Sequence, residues 1–116
     1  MKNEKVFAMQ FSRIYAALLK KIEGKGRTKS ELDTAICWLT GYTKTALAAL
    51  TQSEASLETF FADAPQMHPN APMIKGVICG VRIEDIEDPL MQKIRWMDKL
   101  ADELAKGRAM DKILRA

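Results

Sequence analysis

The sequence predicts an all-α fold, a single domain over residues 1–116 with five or six helices around one long C-terminal helix. Three observations lead there. Apolar residues recur at helical rather than strand spacing along most of the chain. Start and stop signals bracket those stretches: the T-x-x-E box of Thr28 and Glu31, Asp88 followed by Pro89, and glycines at 24, 41 and 107. The hydrophobic fraction of 47% and the charged fraction of 28% are those of a folded domain, and 116 residues suffice for a core without disulfide or metal staples.

Residues 1–11 read as an N-terminal arm, because Val6, Phe7, Met9 and Phe11 follow neither period well. Ser12 is the expected cap of the next helix, whose stripe is Ile14, Leu18 and Ile22, flanked by Tyr15 and Leu19. Gly24 and Gly26 end it. From Thr28 a helix turns Leu32, Ala35, Ile36 and Leu39 inward until Gly41. Thr43 caps a short helix through Leu47 and Leu50. Ser53 or Ser56 opens another, which ends at Phe60 and Phe61.

Residues 62–72, ADAPQMHPNAP, hold three of the four prolines and form the longest non-helical connection, the natural place for a functional site. Asn70 is expected to cap a helix through Ile74, Val77, Ile78 and Val81. The same β-branched run, with Gly76 and Gly80, also fits a short strand at 77–83; helix is the preferred reading.

The long helix then occupies residues 88–106. Its stripe of Leu90, Ile94, Met97, Ala101 and Leu104 is widened by Met91, Trp96 and Leu100. At about 100° per residue the apolar arc spans roughly 220°, about twice what a surface helix needs. Either this helix is the centre of the domain or a partner covers it. Few other helices are long enough to do so, which predicts a homodimer with Trp96 or Trp38 at or near its interface. The competing arrangement is a monomer whose arm, residues 6–11, folds over the remaining apolar face. Met110, Ile113 and Leu114 form a last amphipathic turn.

The net charge of +3 is unevenly spread. Residues 1–30 carry eight basic and two acidic groups, residues 31–90 three and nine, residues 91–116 seven and four. Such blocks can pair within the fold, pair between subunits, or leave one basic face for a polyanion. No apolar run reaches the ~18–20 residues that span a bilayer. The first residues lack the apolar centre and small-residue cleavage site of a secretory signal. The expected location is therefore the cytoplasm, with Cys37 and Cys79 as free buried thiols.

Four stretches, GRTKSELDTAICWLTGY, FFADAPQMHPN, GVICGVRIEDIEDPLMQKIRWMDKL and ELAKGRAMDKILR, closely resemble in order and spacing the bacterial family known as domain of unknown function 2200. The resemblance covers nearly the whole chain. It implies a stand-alone bacterial protein and brings no substrate, cofactor or catalytic residue. Ala16 stands where the family is expected to favour proline in the first helical turn, and alanine suits a helix at least as well.

The chemistry-bearing residues are few. His68 is the only histidine; in a proline-rich loop it is a turn residue by default, or a catalytic or ligand group. No C-x-x-C or H-E-x-x-H spacing exists, so no metal or cofactor is assigned. Cys79 would act as a nucleophile only beside a base, and His68 is the sole imidazole. Glu84, Asp85, Glu87 and Asp88 offer oxygen ligands to a divalent cation, or simply meet the dipole of the following helix. Lys20, Lys21, Lys25, Arg27 and Lys29 form a basic segment, and the helices on either side of Gly41 and Tyr42 sketch a helix-turn-helix. The second of these, KTALAAL, has little that reaches base edges, so nucleic acid is not the expected partner.

Trp38 lies roughly 120° from its helix stripe and forms with Tyr42 either a second core contact or an interaction surface. The candidate interaction surface is thus Arg27, Trp38, Tyr42, His68 and Trp96. The leading functional expectation is a non-enzymatic interaction module that self-associates. The alternatives are a small-ligand binder or enzyme using the His68 loop and the acidic 84–88 turn, and a nucleic-acid accessory protein using the basic 20–29 segment.

Overall fold

Most of the chain's end signals act as read. Thr28 Oγ1 accepts the Glu31 N–H at 3.2 Å while Glu31 Oε1 accepts the Thr28 N–H at 2.9 Å, a complete capping box. Thr43 and Ser56 cap the next two helices by accepting the N–H of Ala46 and of Thr59, without the reciprocal bond. Asp88 Oδ1 accepts from Leu90 and Met91 with Pro89 at the first helical position.

The computed structural model describes residues 2–115. Among them run α1 (Lys2–Phe7), α2 (Phe11–Glu23), α3 (Lys29–Thr40), α4 (Lys44–Leu50) and α5 (Leu57–Ala62). The hairpin β1 (Val77–Ile78) and β2 (Val81–Arg82) follows, then α6 (Pro89–Ala105) and α7 (Met110–Ile113). Short 3-10 turns lie at Ala71–Met73 and Ile83–Asp85. With 62% of these residues helical and one two-stranded antiparallel sheet, the fold is mostly α with minor β.

Helix α6 is the centre. It packs on α2 and α3, and α1, α5, α7 and the hairpin close around it. Ile94, Met97, Leu100, Ala101 and Leu104 are buried with Phe11, Ile22, Leu32, Ile36, Leu39 and Phe60 in one apolar cluster. Phe11 and Phe60 stack with centroids 3.8 Å apart.

Residues 2–11 are more ordered than an irregular arm. α1 forms there, and Val6 and Phe7 pack on the core beside α5 and α6. The arm therefore lies against the long helix. α2 begins one residue before Ser12, with Gln10 in the cap position and no side-chain cap. Tertiary bonding sets that start instead: Phe11 N–H donates to Ala55 O and Leu57 N–H donates to Met9 O.

The preferred helix through 74–81 does not form. The run folds as a hairpin with Val77 opposite Arg82 and Ile78 opposite Val81. Cys79 and Gly80 turn the corner with φ of 53° and 78°. Positive φ at both positions is the two-residue turn whose twist matches paired strands. β-branched residues on either side favour it over a helix. Cys79 is consequently exposed at the tip, not buried, and sits in a left-handed conformation that costs a non-glycine residue about 1–2 kcal/mol. Cys37 is half-buried.

Ile94 is 2% exposed at the centre of the core. Ile94→Ala should lower the unfolding free energy by about 2–5 kcal/mol in denaturant melts. A loss under about 1 kcal/mol would place the centre of the core elsewhere.

Candidate functional site

The proline-rich connection folds back onto the end of α3. A helix leaves its last carbonyls without intrahelical donors, and here the loop supplies them. His68 N–H donates to Leu39 O at 2.9 Å and Gln66 N–H donates to Thr40 O at 3.1 Å. Gly41 makes this approach feasible. Its φ is 83°, and a Cβ there would lie 2.8 Å from Gln66 O and 2.9 Å from Gln66 N. Both the left-handed backbone and the space thus require glycine.

This docking brings together Trp38 and His68, thirty residues apart in sequence. Their rings stack with centroids 4.2 Å apart and planes at 23°. His68 Nδ1 accepts the Asn70 N–H at 3.0 Å. An accepting Nδ1 carries no proton, so the imidazole is held as the Nε2–H tautomer. Asn70 is fixed in turn, its Nδ2 donating to Arg115 O at 2.7 Å. Beside the stacked rings opens a cleft of about 410 Å³, lined by Trp38, Gly41, Pro65, Gln66, His68 and Pro69. That volume falls in the range of about 300–1,000 Å³ typical of small-molecule sites.

The other candidates lie elsewhere. Tyr42 is 9% exposed and donates its hydroxyl to Phe60 O at 2.6 Å, a core contact. Trp96 is 7% exposed, inside the apolar cluster. Arg27 is a fold-closing residue: its guanidinium bonds Glu31 and also donates to Leu104 O and Arg108 O at the end of α6. Of the other basic side chains in 20–29, Lys21 pairs with Asp102 and Lys29 with Asp33.

In the acidic run, Asp88 caps α6, and Glu84 accepts the Gly76 N–H, which with Arg82 nearby holds its carboxyl below the usual range. Among the described residues no three His, Cys, Asp or Glu side chains gather so as to hold a metal ion. Neither Cys79 nor any carboxylate lines the cleft with His68. The sequence marks Gly41 only as a helix stop and does not single out Pro65, Gln66 or Pro69, although the proline cluster marks their loop.

The family model for an uncharacterized protein conserved in bacteria, domain of unknown function 2200, matches residues 5–115. The chain belongs to that family. A crystal structure of the uncharacterized protein SP1917 shares the fold with a TM-score of 0.91 at 42% identity. The match covers 96% of this chain and 91% of that one. No curated protein matches the chain. The family thus supplies a bacterial setting and no activity. Among the described residues no helix is long and apolar enough to cross a membrane.

Arg27 gives a pH-dependent prediction. Its guanidinium, followed by the Thr28 N–H, holds the Glu31 carboxyl at about 2 against an ordinary 4.5. A carboxyl depressed on folding contributes stability that is complete above its unfolded value and is lost as pH falls through its folded one. Stability should therefore decline between about pH 4.5 and 2, and Glu31→Gln should flatten that decline in chemical melts across the window. An unaltered slope would show that the contact contributes nothing.

Proposed function

We propose that this protein is a non-enzymatic binding module whose contact point is the cleft beside Trp38 and His68, and that it takes a planar or ring-shaped apolar group, a proline or aromatic side chain of a partner protein. The stacked pair carries this reading. The walls mix the rings of Trp38, His68, Pro65 and Pro69 with polar groups, among them Gln66 and the His68 imidazole nitrogens. Aromatic rings in preformed recesses are the usual anchors of protein recognition. His68 is a base in the lining, but no serine, threonine or cysteine stands there for it to activate. Hydrogen bonds from the loop to α3 hold the cleft open before any ligand arrives, which lowers the entropic cost of binding.

The motive for a homodimer in the sequence was the wide apolar arc of α6. That arc is covered from within the chain by α1, α2, α3 and α5, and Trp96 is inside it. A partner engaging Trp38 needs no second copy of this chain.

Two probes test the reading: N-acetyltryptophanamide and a short oligoproline peptide, titrated at millimolar concentration and followed by amide and indole NMR shifts. At least one should saturably perturb residues 38, 41, 66 and 68, and the perturbation should vanish in His68→Ala and Trp38→Ala. Trp96 should serve as an unperturbed internal control. No shift at those positions with either probe, or shifts centred on another surface, would refute the proposal.

A further inference from the structure

The loop that carries His68 is tied to a distant part of the fold. Asn70 makes two bonds of different kinds. Its backbone N–H donates to His68 Nδ1, and its side-chain amide donates to the carbonyl of Arg115, forty-five residues further on. Arg115 is itself anchored. Its guanidinium donates from Nη2 to Glu103 Oε2 at 2.6 Å and from Nη1 to Ile113 O at 2.6 Å. The Arg115 side chain is 12% exposed and that of Glu103 5%. Glu103 belongs to α6, and Arg108 also donates to its Oε2 at 3.0 Å.

A continuous line of bonds thus runs from the central helix through the C-terminal segment to the imidazole in the cleft. Separating an ion pair this well covered leaves a charge largely buried and unpaired, which is strongly unfavourable. Asn70 joins the two ends of this line, its side-chain amide bonded to Arg115 O and its backbone N–H to His68 Nδ1.

We propose that the C-terminal segment is a latch for the cleft: Glu103 holds Arg115, Arg115 holds Asn70, and Asn70 sets the tautomer and placement of His68 against Trp38. Asn70 and Arg115 are positioning residues. The latch deepens the binding-module reading and matters functionally only if the cleft binds a ligand. Its mechanical content, that residues 66–68 open locally when the latch is released, is read without one.

Native-state hydrogen exchange separates local opening from global loss of stability. The informative amides are Gln66 and His68, which donate to Thr40 O and Leu39 O, and Leu47, which donates to Thr43 O away from the latch. In Asn70→Ala and in Arg115→Ala, protection of the Gln66 and His68 amides should fall on the order of tenfold while that of Leu47 stays unchanged. The double variant should lose no more than the larger single loss, since both changes break the same link. Asn70→Ala leaves the buried ion pair intact and decides the matter if Arg115→Ala does not fold. Protection that is unchanged at 66 and 68, that falls equally at all three amides, or that falls only in Arg115→Ala would overturn the latch. A latch that behaves as described in a protein that binds neither probe would leave this inference standing and remove the binding-module reading.

Discussion

Over its last two turns α6 has no free side: Leu100, Ala101, Asp102, Glu103 and Leu104 are all buried. Two of these five are carboxylates, and a buried carboxylate needs cations or donors around it. That requirement arranges much of the molecule. Burial alone would raise the Asp102 carboxyl, but hydrogen bonds from Lys106 and Lys21 more than offset it and hold the group below its ordinary range. Glu103 draws in Arg108 and Arg115 from the C-terminal segment. Arg27 closes the same helix end through Leu104 O and Arg108 O, where positive charge meets the negative end of the helix dipole. Asp98, one turn earlier, shows the contrast: burial raises its carboxyl and the Arg95 pairing only partly compensates.

Basic groups near both ends of the sequence converge on Asp102 and Glu103 of α6, while Arg27 and Lys29 meet the start of the acidic middle at Glu31 and Asp33. The basic 20–29 segment and the 106–115 segment are therefore substantially engaged within the fold, through Lys21, Arg27, Lys106, Arg108 and Arg115. The helix on the far side of Gly41 exposes a single lysine, Lys44, beside Thr45, Ala48 and Ala49. Both facts take support from a nucleic-acid role and leave the aromatic cleft as the distinctive surface feature.

Most of the fold was legible because it is written locally. Thr28 with Glu31, Thr43, Ser56 and Asp88 with Pro89 are short-range signals, and they act within four residues of themselves. The errors came where distant contacts decide. α2 starts at Phe11 because a bridge between Gln10 and Ser56 positions it, and nothing near Ser12 reports that. The hairpin at 77–82 turns on Cys79 accepting a positive φ, an uncommon choice for a cysteine. The site divides in the same way. Trp38 and His68 were each visible as unusual residues, but their stacking depends on the loop finding the open carbonyls of α3 and on the missing side chain of Gly41. Tyr42 and Trp96 have the composition of an interface and the geometry of a core, a distinction that only burial reveals, while Arg27 is half-buried and engaged in bonds within the fold.

The central claim is that the loop is locked on α3 with His68 presented in one tautomer against Trp38. Long-range proton–nitrogen NMR on the histidine ring, read together with nuclear Overhauser contacts to the Trp38 indole, addresses it directly. The account predicts a protonated Nε2, an unprotonated accepting Nδ1 and strong contacts between the two rings. A proton on Nδ1, or rings that show no mutual contact, would contradict it.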